Sequence, residues 1–342
     1  MIKKIIYIIT GLILLSCSYI IFQLFAPLPI GSKNIEIQIP KGSTFRQAAD
    51  IFAKEKILRD KNLFLFLGRI TGIDRKIRAG YYSIYSSMDL FDLLKVLRRG
   101  QIIEYEITVV EGDSLSEIAS KLEEKNIISK EDFKKLSTDK NLLAYFNIDA
   151  PSFEGYLFPE TYKIPKGMEP TEVIGMMVSK MREKFSESFK QRADEIGLSE
   201  REILTLASII EKEAAVDEER PLISAVYHNR LKKKMPLQAD PTSIYGIKSM
   251  KEKITYDDLK RRTPYNTYII RGLPPGPIAS PGLKSIKAAL YPAKVDYLYF
   301  VSNNDRTHIF SKNIDDHLKA VKEYRNKKKL EKEDNEYIES AG

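Results

Sequence analysis

A chain of 342 residues has room for two folded domains besides a membrane anchor, and its single cysteine, Cys17, excludes an internal disulfide framework and a cysteine zinc cluster. The formal net charge of +8 favours an anionic surface or polymer as a partner, such as phospholipid headgroups, cell-wall polymers or nucleic acid. Nucleic acid is the weakest of the three, because the basic residues are spread along the chain and form no recognition helix or RNA-binding signature.

The first predicted element is an uncharged apolar run over residues 5–25. At 1.5 Å per residue, about 21 residues match the ~30 Å of a bilayer core. Two lysines precede the run, so the positive-inside rule places the start of the chain in the cytoplasm and everything after residue 26 outside an inner membrane. A cleavable signal and a lipoprotein box ending at Cys17 are the alternatives. Because the apolar run continues past the cysteine, a retained single-pass anchor over residues 1–30 is predicted.

The next two segments repeat one plan at a spacing of 70 residues. A strand at 35–39, a turn at Gly42 and short helices are followed by a strand at 105–110, a turn at Gly112 and a helix at 115–124. A later shared element is also predicted, with Ala79–Tyr82 matching Glu154–Leu157.

This strand, glycine turn and helix arrangement resembles the LysM-like modules that hold chitin and peptidoglycan glycans. The resemblance implies two LysM-like units, at residues 31–104 and 105–185, of which the second includes a connecting helix. A purely structural spacer is the alternative.

Residues 199–220 read as the central helix of the chain. Ser199 and Glu202 form a predicted capping box, and apolar residues then recur at helical spacing. Two carboxylates near the end of this pattern, Glu211 and Glu213, project about 200° apart and so cannot work as a facing pair. Glu213 follows bulky apolar residues on its face, which would raise its pKa as a general acid requires. The alternative is that both are solvated side chains at the edge of a core helix.

The flanking elements complete a predicted α+β fold. A long helix over residues 166–196 precedes the central one, and Pro221 separates it from a helix over residues 222–231. The polar, tyrosine-rich loops after residue 235 are followed by a helix reaching residue 290, a β-hairpin and a charged helix. We therefore expect a mixed helical C-terminal domain with a small hairpin at residues 186–328, and a charged tail at 329–342.

The C-terminal half offers the chemistry of a glycan site. Hydrogen-bonding side chains suit sugar hydroxyls, aromatic faces suit sugar rings, and a protonated carboxyl suits a glycosidic oxygen. An ordinary glycosidase also needs a second carboxylate. The candidates are Asp217 and Asp240, although Asp217 suits a solvated helix end and Asp240 suits an Asx-type turn in its own loop.

Five ordered blocks carry a specific resemblance. They are Ala-Ser-Ile-Ile-Glu-Lys-Glu-Ala (207–214), Asn-Arg-Leu (229–231), Leu-Gln-Ala-Asp-Pro-Thr-Ser-Ile-Tyr-Gly (237–246), Thr-Pro-Tyr-Asn-Thr-Tyr (263–268) and Gly-Leu-Pro-Pro-Gly-Pro-Ile-Ala-Ser-Pro-Gly (272–282). The combination closely resembles the YceG-like family of endolytic murein transglycosylases, with the anchor, LysM-like region and catalytic domain in the family's order.

The resemblance implies cleavage of the MurNAc-β-1,4-GlcNAc bond in nascent peptidoglycan strands without water, leaving 1,6-anhydro-MurNAc ends. It places the catalytic acid at Glu213, requires no cofactor, and makes penicillin-binding proteins candidate partners. The blocks also supply the predicted cleft residues, which are Gln238, Asp240, Tyr245, Tyr265, Asn266 and Thr267.

Two other functions remain open at this point. The chain could be a non-catalytic peptidoglycan-binding scaffold, or an ordinary hydrolase that uses Asp240. A metal site is not expected, because His228, His308 and His317 lie far apart in sequence without ligand spacing.

Overall fold

The computed structural model describes residues 2–249 and 252–341 and divides the chain into two compact units. The first consists of Met1–Glu106 and Lys163–Met168, and the second of Ile107–Tyr162 and Glu169–Gly342. The predicted α+β class is confirmed. Met1 of the predicted cytoplasmic segment and Gly342 of the predicted tail lie outside the described residues. The predicted domain boundaries stay predictions.

The first unit is a small layer of helices against a two-stranded antiparallel sheet. Alternating Ile35, Ile37 and Ile39 pair with Ile84, Tyr82 and Gly80, and the inward-facing side chains join one apolar core with the helices. Its elements are α1 (Ile2–Phe25), β1 (Ile35–Ile39), α2 (Phe45–Lys54), α3 (Lys61–Ile70), β2 (Gly80–Ile84) and α4 (Leu90–Arg99).

Helix α1 contains the whole predicted apolar run. Its segment Lys3–Phe25 is long and apolar enough to cross a membrane. The residues that follow α1 pack against the first unit. Leu28 is buried in the core of the first unit, and its N–H donates to the carbonyl of Met88 at 2.8 Å.

The second copy of the repeated plan begins with the predicted strand and helix, but the element that ends it differs from the prediction. Strands β3 (Glu104–Thr108) and β4 (Thr161–Pro165) pair, and α5 (Leu115–Glu124), α6 (Lys130–Ser137) and α7 (Lys140–Tyr145) lie between them in the chain. The predicted match of Ala79–Tyr82 with Glu154–Leu157 is wrong, since Glu154–Leu157 forms a turn. The strand that corresponds to β2 in this order is β4.

The predicted helix at 166–196 is two helices that break at Phe185 and Ser186. Met177 and Met181 lie on the buried face of the first of these helices. The elements after β4 are α8 (Pro170–Lys184), α9 (Glu187–Glu195), α10 (Glu200–Glu213), α11 (Arg220–Lys232), α12 (Asp240–Ile244), α13 (Tyr256–Lys260), α14 (Leu283–Leu290), β5 (Tyr299–Ser302), β6 (His308–Ser311) and α15 (Ile314–Ala341).

Helix α10 is the central helix, and it is shorter than predicted. The capping box at its start is confirmed, with the Ser199 N–H donating to the Glu202 carboxylate at 2.8 Å. The helix ends at Glu213 because Ala214 is extended, whereas the sequence predicted helix to residue 220. Pro221 therefore lies in the first turn of α11, a position where its missing N–H costs nothing.

The tyrosine-rich region contains the short helices α12 and α13, which the sequence did not predict. The predicted hairpin is confirmed, with β5 and β6 antiparallel. Helix α14 has Gly282 as its N-cap and ends at the predicted residue 290.

Candidate active site

Glu213 is the last residue of α10, on the face that packs into the core. Leu206, Ile209 and Ile210 are fully buried beneath it, while Glu213 itself is only partly buried. Burial raises the pKa of its carboxyl to about 8, and the nearby charge of Asp240 acts in the same direction. The carboxyl is therefore protonated at neutral pH, in a residue that is partly exposed.

Two polar groups hold this carboxyl in place. The hydroxyl of Tyr227, a buried residue of α11, donates to Glu213 Oε1 at 3.3 Å. The backbone N–H of Asp240 also hydrogen-bonds the carboxyl, and both bonds lower its pKa against the larger effect of burial. Hydrogen bonds that favour the charged form keep the proton transferable instead of permanently bound.

Glu211 lies elsewhere, as its position on the helix predicted. Its Oε1 forms an ion pair with Arg220 Nη1 at 3.0 Å, and its Oε2 accepts the Gly282 N–H at 2.9 Å. The Glu211 side chain is 5% exposed. Because both of its oxygens are engaged with α11 and the start of α14, Glu211 supports the fold.

Asp217 and Asp240, the two candidates for a second catalytic carboxylate, have different surroundings. Asp217 is paired with Lys284 and Arg220, which hold its pKa below the usual range, so it has the solvated structural role expected. The Asp240 side chain bonds to a residue outside its own loop. Its Oδ1 accepts the hydroxyl of Tyr268 at 2.5 Å, and the residue lies close enough to Glu213 to affect its pKa.

The loop that leads to Asp240 is held by Arg230, a buried residue of α11. Its guanidinium donates to the carbonyl of Leu237 at 2.8 Å and to Gln238 Oε1 at 3.1 Å. Gln238 has a φ of +53°, the left-handed conformation that only surrounding contacts can impose on a residue with a side chain. Arg230 thus fixes the strained turn next to the carboxyl of Glu213.

The amino-acid sequence of this chain matches a known protein family. The family model described as the YceG-like family matches residues 37–323. The chain belongs to the YceG-like family.

Relatives of this YceG-like chain agree with the match. A protein named endolytic murein transglycosylase from Bacillus subtilis (strain 168) is 36% identical over 319 residues, covering 88% of both chains. A protein of the same name from Streptococcus pneumoniae serotype 2 (strain D39 / NCTC 7466) is 30% identical over 335 residues, covering 88% of this chain and 60% of that protein.

A solved structure is also similar. The crystal structure of a putative yceG-like protein from Listeria monocytogenes is 32% identical in sequence, with a TM-score of 0.58. The similarity covers 84% of this chain and 98% of that one. The resemblance inferred from the five sequence blocks is thus confirmed.

The six predicted cleft residues of this YceG-like chain fall into two groups. Gln238 and Asp240 are exposed, and Asp240 lies close to Glu213; the partly exposed rings of Tyr245 and Tyr265 pack with centroids 4.6 Å apart. These four remain proposed substrate contacts.

Asn266 and Thr267 form the second group, because both are fully buried. The Asn266 amide donates to the carbonyls of Asp258, Leu259 and Arg261, and Thr267 Oγ1 accepts the Ala239 N–H. The structure therefore places them as supports of the loops instead of in the cleft.

Sequence reasoning missed several residues of the site. Tyr227 and Tyr268 contact Glu213 and Asp240 respectively, and Arg230 orders the loop between them. Tyr268 ends one of the quoted blocks, and Arg230 lies in another, so the blocks were a signal for both. The three histidines are engaged elsewhere: His228 with the Ala289 carbonyl, His308 with Glu219, and His317 stacked on Tyr299.

Glu154 is a further acidic group that the sequence did not single out. It is 2% exposed, accepts the Leu115 N–H at 3.1 Å and accepts the hydroxyl of Tyr245 at 2.9 Å. Burial raises its pKa to about 7. Through Tyr245 it connects the start of α5 with the ring pair that includes Tyr265.

Replacing Tyr227 by phenylalanine should shift the pH dependence of activity. The substitution removes a hydrogen bond that favours the charged form of Glu213, so the pKa of that carboxyl should rise above about 8. We expect the alkaline limb of the kcat/KM profile to move to higher pH. The measurement is glycan cleavage over pH 5–10, and an alkaline limb at the wild-type pH would contradict the assigned hydrogen bond.

Replacing Glu154 by glutamine should flatten the dependence of stability on pH. The folded state binds this proton more tightly than the unfolded state, whose carboxyl has a pKa of about 4.5. The stabilising contribution is therefore complete below pH 4.5 and is lost as the pH rises through about 7.

The measurement is urea denaturation between pH 4.5 and 8, with the exposed Glu218→Gln as the control variant. The E154Q protein should lose less stability over this range than the wild type or the control. Equal losses in all three would show that Glu154 titrates normally.

Proposed function

We propose that this chain cuts the MurNAc-β-1,4-GlcNAc bond within nascent peptidoglycan strands and leaves 1,6-anhydro-MurNAc ends. Family membership makes it a lytic transglycosylase; the bond, the product and the site residues are the proposal. The observation that supports it most directly is the carboxyl of Glu213, a partly exposed residue, whose pKa burial raises to about 8.

Glu213 can carry out both proton transfers of this reaction. Protonated at neutral pH, it gives its proton to the glycosidic oxygen as the bond from that oxygen to C1 of MurNAc breaks. The resulting carboxylate, stabilised by the Tyr227 hydroxyl and the Asp240 N–H, then takes the proton of the C6 hydroxyl while O6 bonds to C1. Glu213 ends protonated, and no water is consumed.

The second strand-helix-helix-strand segment offers a place for more of the glycan. A cavity of about 620 Å³ is lined by the start of α5, by α6 and by the loop after α12. Hydroxyl side chains and Tyr245 line it, with Glu154 at its wall. We propose that the LysM-like unit holds a glycan strand here while the bond near Glu213 is cut, and that the first unit is LysM-like as well.

The location and partners belong to the same proposal. Helix α1 would cross the inner membrane once, with both units on the extracytoplasmic side, where nascent strands are made. A penicillin-binding protein is the proposed protein partner, on the strength of the family resemblance alone.

A hydrolase is the second candidate function, because Asp240 lies beside Glu213 and could activate a water. The two reactions differ in the fate of water. Full-length protein in detergent would be incubated with uncrosslinked nascent glycan in water enriched in heavy oxygen. A lytic transglycosylase gives anhydro ends without the label, whereas a hydrolase gives labelled reducing ends, one water heavier. Labelled reducing ends as the main product would overturn the proposal.

A further inference from the structure

The end of α1 is packed tightly against the rest of the first unit. Leu24 and Leu28 join the core of that unit, and the Arg59 guanidinium donates to the carbonyl of Ala26 at 3.3 Å. Pro27 also forms an isolated antiparallel bridge with Asp89. Because this junction is packed, the orientation of α1 determines that of the unit.

Side chains of the unit reach along the last two turns of α1. The hydroxyl of Tyr19 donates to Asp60 at 3.1 Å, and the ring of Phe25 lies 6.2 Å from the ring of Phe91. If α1 spans a bilayer, these last turns lie at its outer boundary, where aromatic side chains concentrate. Phe91, in the first turn of α4, is then at the level of the lipid headgroups.

Helix α4 has an exposed face that carries one aromatic and three basic side chains. It buries Leu93, Leu94 and Leu97, and its opposite face is exposed. Residues spaced by four, seven and eight positions share a helix face. The exposed face, here called the α4 stripe, consists of Phe91, Lys95, Arg98 and Arg99.

The charge of this region matches an anionic surface. Residues 26–106 contain 14 Lys and Arg against 9 Asp and Glu, a net +5 of the chain's +8. The α4 stripe combines one aromatic side chain next to the membrane helix with three cations further along. Clustered cations next to a membrane helix attract anionic lipid headgroups, and an exposed aromatic ring can lie among the lipids at the same level.

We propose that the α4 stripe binds anionic phospholipid headgroups of the outer leaflet, so that the first unit lies on the membrane surface. Phe91 inserts beside Phe25, while Lys95, Arg98 and Arg99 contact lipid phosphates. This inference rests on the proposed insertion of α1 and goes beyond it, because a single spanning helix alone requires no contact between α4 and lipid.

The test uses the full chain in nanodiscs, with Cys17→Ser and a bimane fluorophore on Gln101→Cys. Gln101 is exposed just beyond the end of α4, about 15 Å along the helix from Phe91. Lipids with a spin label near the headgroup quench bimane only if this far end also lies at the surface. Nanodiscs of phosphatidylcholine alone are compared with nanodiscs that include phosphatidylglycerol.

We expect about twofold stronger quenching with phosphatidylglycerol, lost at high salt. The triple variant Lys95→Gln, Arg98→Gln, Arg99→Gln should lose the difference. The matched control Arg46→Gln, Lys54→Gln, Arg75→Gln, which removes three exposed cations elsewhere in the unit, should keep it.

Each other outcome counts against the inference. Co-elution with nanodiscs but equal quenching in both lipids overturns the headgroup contact and leaves the anchor standing. If both triple variants lost the lipid-dependent difference in quenching equally, the net charge of the unit would explain the effect and the α4 stripe would have no specific role. Failure to co-elute with nanodiscs at all overturns the proposed anchor and this inference together.

Discussion

Replacing Glu213 by glutamine should reduce the release of anhydro-ended glycans by a factor of about 1,000 or more, while the protein stays folded and still binds sacculi. Glutamine has the shape of the protonated carboxyl and can still accept the Tyr227 hydroxyl hydrogen bond. It has no proton to give to the glycosidic oxygen. The measurements are mass spectrometry of products from uncrosslinked glycan, co-sedimentation with sacculi and circular dichroism.

Two control variants make this result specific. Glu218→Gln removes an exposed acid only five residues away and should leave the rate unchanged. Asp240→Asn removes the charge that helps to raise the pKa of Glu213, so it should change the pH profile and leave the product anhydro-ended. If E213Q released products at the wild-type rate, Glu213 would not be the acid; if wild type and E213Q both released nothing and bound equally, the scaffold function would be favoured.

Local signals predicted the elements that carry the site, because those elements are stabilised locally. The capping box at Ser199 and the apolar spacing after it predict the start and the buried face of α10. The divergence of Glu211 from Glu213 follows from helical geometry alone. Where a property depends on one element and its own spacing, the sequence was sufficient.

The end of α10 was not predictable in this way. The apolar pattern runs through Ala214, and helix propensity remains good as far as Pro221. At this end, Arg220 pairs with Glu211, and Glu213 interacts with Tyr227 and Asp240. These contacts join residues of other elements, which no local pattern encodes.

Loop residues were the least predictable part of the site. A sequence motif shared with a family shows which loop belongs to the site. It does not show which side chains of that loop point inward and which point to solvent. Asn266 and Thr267 turn inward to satisfy backbone groups, while the neighbouring Tyr265 and Tyr268 remain partly exposed. Glu154 was assigned only as part of a repeated element, and its buried hydrogen bond to Tyr245 depends on long-range folding.

Replacing Arg220 by methionine should destabilise the protein by about 3–5 kcal/mol, since a buried ion pair that loses one partner leaves an uncompensated charge. Arg220 joins Glu211, Asp217 and Ser285, and so connects the end of α10 with α14. Its loss should also loosen the segment after Glu213 and lower kcat more than it raises KM. The measurements are urea denaturation at pH 7 and glycan cleavage kinetics.

A matched pair of variants separates the buried charge from the charge balance of the surface. Lys284→Met also removes a cation that pairs with Asp217, but the Lys284 side chain is 65% exposed, so the urea midpoint should hardly move. The double variant Glu211→Met, Arg220→Met should recover part of the lost stability, because no charge is left unpaired; it recovers only part, because the Gly282 N–H loses its acceptor. Equal losses in R220M and K284M would mean that the ion pair between Glu211 and Arg220 is solvated. In that case Glu211 would support the fold only through its hydrogen bond to the Gly282 N–H.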